Sequence, residues 1–175
     1  YGRGYYILDD LAALRKADQL DTDLVLLDVR DTYRFNNRES IKTDGGSFNS
    51  GQNPPNGAII NYYLPESVKG NVKVEIVSRQ GDVIRTLTPR SRAGINRTTW
   101  DLRYEPIIQA RLLTQPPGRP WVQLNGEGWR PLGQWDLDLM AGQYGPRVAP
   151  GTYKVRLKVE DESGQTIREV TKDLN

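Results

Sequence analysis

The plainest periodicity in the chain lies near its C-terminus. In residues 152–160, Tyr153, Val155, Leu157 and Val159 alternate with Lys154, Arg156, Lys158 and Glu160. Side chains of a strand project alternately to its two faces, so the pattern predicts a strand with one core-facing row and one solvated row. Burying the four apolar side chains contributes about 6–12 kcal/mol before ordering entropy is counted. The same alternation recurs at Val72, Val74 and Ile76 against Lys73 and Glu75. Residues 78–82 read as a turn in which Gly81 supplies a positive φ, and Val83–Leu87 returns as the partner strand. Ala58–Leu64 is a strand closed by Pro65, which has no donor for a ladder. Gly94-Ile95-Asn96 leads into a further strand over 97–102. Asp161–Gly164 is a hairpin turn, and 165–172 the closing strand. Its Ile167 and Val170 are out of phase, which predicts a bulge or an edge position.

About six strands thus fall in 58–104 and 151–173, with no helical periodicity between the turns. A single sheet would leave its apolar face wet, so the expected fold is mainly β: an immunoglobulin-like antiparallel β-sandwich. Residues 1–57 read as an extension and linker of strand, helix and strand. Tyr5–Leu8 is the first strand, Asp9 or Asp10 caps a short helix carrying Leu11, Leu14 and Ala17, and Leu24–Leu27 is the second strand. The stretch 36–56 is rich in Asn, Gly, Ser and Pro, as a linker is. The sandwich then occupies 58–175, interrupted by a long tryptophan-rich insertion at about 105–149. Residues 121–124 and 134–139 are expected to add strands there.

Composition narrows the chemistry more than it names it. Of 175 residues, 37% are hydrophobic and 26% charged, the balance of a globular chain. No apolar run reaches the roughly 18 residues of a membrane helix. There is neither cysteine nor histidine. Thiol nucleophiles, disulfides, Ser-His-Asp arrangements and histidine-based zinc sites are therefore excluded within this chain, whereas carboxylate chemistry and oxygen-ligand calcium sites are not. The formal charge is +2, with only a thin basic excess in 58–104, too little for a nucleic-acid footprint. No cofactor is implied. The chain opens Tyr1-Gly2-Arg3-Gly4 without methionine, which fits a fragment whose targeting segment lies upstream.

Four groups of residues carry candidate chemistry. Trp121, Trp129 and Trp135, with Tyr144, are the candidate binding or interface residues, since aromatic rings stack on sugar faces and are enriched at protein interfaces. They serve equally to pack the insertion. Asp21 and Asp23 are weak calcium candidates within the acidic run of the N-terminal segment, whose spacing matches no EF-hand loop. Glu105, Glu127, Asp136 and Asp138 could form a glycosidase pair only if two of them flank a cleft at the required separation. Gly2 and Gly4 precede the first strand, so they form a turn and not a phosphate loop. Trp100 reads as a core residue between the sheets, and Asp101 as an acceptor of backbone N–H groups in a turn.

The segments Asn53-Pro54-Pro55-Asn56-Gly57-Ala58, Tyr62-Tyr63-Leu64, 94–104 and 145–153 resemble, in that order, the C-terminal tail of bacterial BNR-repeat, sortilin-type β-propeller proteins, often labelled glycosyl hydrolases. Trp100-Asp101 and Pro150-Gly151-Thr152-Tyr153 are also similar to the immunoglobulin-like domain of the flagellar hook-capping protein. Residues 1–11 resemble the end of such a propeller. The resemblance spans nearly the whole chain, is weakest across 105–142, and includes no Asp-box. It implies a bacterial secreted or periplasmic protein in which this region is a non-catalytic accessory module. Its partner would be the upstream propeller of the same polypeptide or another protein, with carbohydrate as the alternative ligand and a hydrolase with its own carboxylate pair as the third reading.

Overall fold

The computed structural model describes residues 11–16, 20, 23–34, 55–66, 68–106, 108, 110–132 and 144–175. The elements among them are a short helix α1 (Ala12–Arg15) and strands β1 (Val25–Leu26), β2 (Ala58–Leu64), β3 (Asn71–Val77), β4 (Val83–Leu87), β5 (Gly94–Trp100), β6 (Tyr153–Glu160) and β7 (Thr166–Leu174). All pairings are antiparallel and form two sheets, ordered β1-β2-β5 and β4-β3-β6-β7. The protein is mainly β, a sandwich of three strands against four. The chain divides into two compact units, Tyr1–Leu102 with Ala149–Asn175, and Arg103–Val148. All seven strands belong to the first.

The core follows from the alternation. Val155, Leu157 and Val159 of β6 are buried, as are Val72, Val74 and Ile76 of β3 beside them. Ala58, Ile60, Tyr62 and Leu64 of β2 supply the facing wall, with Leu26 of β1 and Trp100 of β5. Trp100 is fully buried and meets Tyr153 edge-on, ring centroids 5.5 Å apart at 69°, which joins one sheet to the other. The Tyr62 hydroxyl donates to the Arg90 carbonyl at 2.5 Å, and burial pushes its phenol up to about 12.

Several local expectations need correction. In the polar row of β6, Lys154 is exposed but Arg156, Lys158 and Glu160 are half-buried instead of solvated, and Glu75 on β3 is buried. Antiparallel pairing sets Glu75 opposite Arg156, and Arg156 Nε and Lys158 Nζ each lie 3.1 Å from its carboxylate. Long aliphatic stems thereby cover one another across the sheet. β5 runs 94–100 and not 97–102, because Leu102 takes φ 58° and turns the chain out of the sheet. Asp101 accepts no turn bond at its buried Oδ1 from the described residues. The N-cap position of the helix is Leu11, without a side-chain bond, and Asp9, Asp10 and Tyr5–Leu8 lie outside the described residues. The closing strand has both the bulge and the edge position: β7 ends its sheet, and the register shift skips Ile167.

The segment around β1 is more than an extension. Leu24, Leu26 and Leu27 are buried, and the Leu27 N–H donates to the Asn61 carbonyl at 3.0 Å. Beyond it, Thr32 N–H donates to the Asn175 carbonyl at 2.9 Å, and Asp28 pairs with both Lys16 and Lys172. Residues 24–32 thus run from the edge of the three-stranded sheet to the end of β7 in the other sheet, closing one side of the core.

Candidate functional site

The unit 103–148 holds most of the residues singled out by their chemistry. Among its described residues it contains no extended strand, so the strand expected at 121–124 does not form. Pro116, Pro117 and Pro120 favour turns there: Arg119 N–H donates to the Pro116 carbonyl at 3.2 Å and Val122 N–H to the Arg119 carbonyl at 3.0 Å. A narrow bridge follows, in which Leu112 and Arg130 exchange backbone bonds of 2.9 and 2.8 Å. Its tip is an Asx turn. Asn125 Oδ1 accepts the N–H groups of Glu127 at 3.0 Å and Trp129 at 3.1 Å. Arg130 is buried, and Nε reaches the Thr114 carbonyl at 2.7 Å, so its charge is solvated by backbone oxygen.

Three of the four aromatic candidates are described, and each of these is paired with an arginine: Arg111 over Trp129 at 4.7 Å, Arg119 over Trp121 at 5.9 Å and Arg103 over Tyr144 at 5.3 Å. Trp129 also donates its indole N–H to Glu127 at 2.7 Å, which gives that carboxylate a structural partner. Trp121 stands apart, 67% exposed on its turn. Tyr144 is about half exposed, and Glu105 is exposed. Trp135, Asp136 and Asp138 lie outside the described residues. The three arginines were not singled out from sequence. Arg119 two residues before Trp121 is a local signal, whereas Arg111 reaches Trp129 only because the Leu112–Arg130 bridge brings them together.

Of the two metal candidates, one is described. Asp21 lies outside the described residues, and Asp23 is 3.6 Å from the Arg168 guanidinium, a cation where an ion would need further oxygen ligands. Among the described residues no cluster of three or more carboxylates forms. A shallow groove of about 500 Å³ lies between the start of β3 and the β6–β7 turn. Two of its carboxylates are engaged: Glu160 pairs with Lys73 at 2.6 Å, and Asp161 accepts from Ser163 and from the Gln165 N–H. The Ser163 hydroxyl and those N–H groups hold the Asp161 carboxyl below its ordinary value.

The sandwich itself presents two unlike outer faces. The outer face of β3 and β6 is a lattice of charges, Lys73 with Glu160 and Glu75 with Arg156 and Lys158. The outer face of the three-stranded sheet carries an apolar row beside a polar pair. Register sets Val25, Tyr63 and Ile95 in one row across β1, β2 and β5, with Ile59 beside Thr99 four residues along. Between them Arg97 Nε donates to Asn61 Oδ1 at 2.8 Å. Ile95 is 42% exposed. Sequence reading passed over this face, although a signal exists. Ala58–Leu64 is apolar at odd and even positions alike, as strands covered on both sides are.

Among the described residues, no helix is long and apolar enough to cross a membrane. Comparison with protein-family models, with curated proteins and with solved structures gave no match in any of the three.

Proposed function

We propose that the chain is a non-catalytic accessory module with an immunoglobulin-like sandwich, which packs against another folded body in a bacterial secreted or periplasmic protein. The carrying observation is the apolar row Val25–Tyr63–Ile95 with Ile59 on an outer sheet face, opposite in character to the ion-paired charged face of the other sheet. An apolar strip on an outer face stabilises a complex when another surface removes it from water. The upstream propeller suggested by the sequence resemblance is the expected partner. Two features support the immunoglobulin-like reading. The first, second and fifth strands oppose the fourth, third, sixth and seventh, and the Tyr153 hydroxyl donates back to the Ala149 carbonyl at 2.6 Å, as in a tyrosine corner.

Hydroxyl-radical footprinting tests the proposal on the isolated chain and on the full reading frame that encodes it. Tyr63 and Ile59 are expected to react in the isolated chain and to be protected in the full product. Equal labelling in both sinks the reading. Carbohydrate binding is a second reading, favoured by the exposed ring of Trp121 beside Arg119. It predicts calorimetric binding to a member of a polysaccharide panel that Trp121→Ala abolishes, and silence across the panel removes it.

A further inference from the structure

Asparagine stands directly before glycine twice in the chain, at Asn56-Gly57 and at Asn125-Gly126. In such a pair the backbone nitrogen after the asparagine can attack the side-chain amide carbon, and glycine puts no side chain in the way. The attack needs room for the glycine to move and a means of stabilising charge on the amide oxygen. The two pairs differ in both.

At Asn56-Gly57 the glycine is locked. Its backbone abuts β5 so closely that a Cβ there would lie 2.1 Å from the Trp100 carbonyl oxygen, and the next residue, Ala58, pairs with Trp100 in the sheet. Closing a ring would pull Gly57 away from that contact. Among the described residues no donor meets the Asn56 side chain.

Asn125-Gly126 is the reverse. Both residues are exposed, and a Cβ on Gly126 would meet nothing within 4 Å. Among the described residues nothing accepts from the Gly126 N–H or from Asn125 Nδ2. Oδ1 reaches past Gly126 to accept from the N–H groups of Glu127 at 3.0 Å and Trp129 at 3.1 Å, which curls the amide carbon over the Gly126 nitrogen. Those two donors point at the oxygen on which negative charge develops when the amide carbon is attacked, as the donors of an oxyanion hole do.

We infer that Asn125 is a self-modification site, which cyclises onto the Gly126 nitrogen and ends as aspartate or isoaspartate. The Gly126 nitrogen gives its proton to a solvent base and bonds to Cγ. The Cγ–Nδ2 bond breaks, and ammonia leaves with a proton from water. A five-membered succinimide remains, and a water molecule opens it at one of its two carbonyls. Opening at Cγ leaves aspartate in an ordinary main chain. Opening at the main-chain carbonyl leaves isoaspartate, whose main chain runs through Cβ and Cγ. One water enters and one ammonia leaves, with nothing oxidised or reduced. Either product replaces an amide by a carboxylate and lowers the formal charge of +2 by one. Aspartate keeps an acceptor for Glu127 and Trp129. Isoaspartate takes out of the main chain the carbonyl that accepts from Gly128 at 2.9 Å, and so loosens the tip that holds Trp129 beneath Arg111.

The unaltered full chain tests this, incubated at mildly alkaline pH both folded and in urea. Peptide mapping by mass spectrometry, with isoaspartate-specific methylation, follows each site. In urea the two sites share the same reacting pair and should convert at similar rates. In the folded chain Asn125 is expected to convert at least about tenfold faster than Asn56, a modest share of what oxyanion donors contribute, and no more slowly than it does in urea. Conversion of folded Asn125 that is slower than in urea, or no faster than that of folded Asn56, overturns the inference. Both comparisons use one unmodified sequence, so neither depends on a variant that folds.

Discussion

Trp100 has the largest fully buried side chain of the described core, and its ring spans the gap between the sheets to Tyr153. Trp100→Ala opens a cavity that both sheets border and is expected to cost about 3–5 kcal/mol, read as a lower urea midpoint at unchanged slope. Asp28 works by charge and at the surface. Hydrogen bonds from Lys16 and Lys172 hold its carboxyl down, from its ordinary 3.8 to about 2. A carboxylate depressed on folding stabilises above its unfolded pKa, and that contribution disappears as pH falls through the folded value. The window is therefore from about 4 down to about 2. Because the side chain is 64% exposed, solvent screening limits the pair to about 0.2–1 kcal/mol. Asp28→Asn should lower stability by no more than that at neutral pH and flatten the acid limb of a stability–pH profile across the same window.

Between residue and fold, β2 and β5 are locked together where one begins and the other ends. Gly57 has φ 141°, and a Cβ there would lie 2.1 Å from the Trp100 carbonyl oxygen, backbone against backbone. Gly57→Ala should therefore cost at least about 1–3 kcal/mol and appear as a lowered melting temperature, whereas Gly151→Ala, where a Cβ meets nothing, should leave it nearly unchanged. The strands themselves were legible because their signal is local: β6 alternates residue by residue, and β3 repeats it. What sequence could not show depends on partners far along the chain. β1 is two residues long and earns its place only by pairing with Tyr62 and Tyr63. Glu75 looked solvated because Arg156 and Lys158, which cover it, are about eighty residues away. At the candidate sites, aromatic residues were visible but the use of their faces was not, since Arg111 reaches Trp129 through a bridge that no periodicity announces.

At the scale of the whole molecule the division at Leu102 and Ala149 separates two kinds of stability. The seven described strands and their shared core lie in the first unit, and the described residues of the second are held by turns, two isolated bridges and buried Arg130. The two ends of the second unit leave side by side: Arg103 bridges Arg147, and Tyr104 N–H donates to the Pro146 carbonyl at 3.0 Å. A turn of a few residues can therefore replace 105–145 without stretching β5 or β6. Loop-closure entropy changes only slowly with length, so the replacement should not by itself destabilise the sandwich. The shortened chain is expected to keep the β-sheet circular dichroism signal and one cooperative thermal transition, within about 4–8 °C of the parent, the shift that about 1 kcal/mol produces in a domain near 100 residues. Carbohydrate binding, if carried by Trp121, would vanish from it. A shortened chain that fails to fold would mean that the insertion supplies part of the sandwich's stability and is no independent appendage.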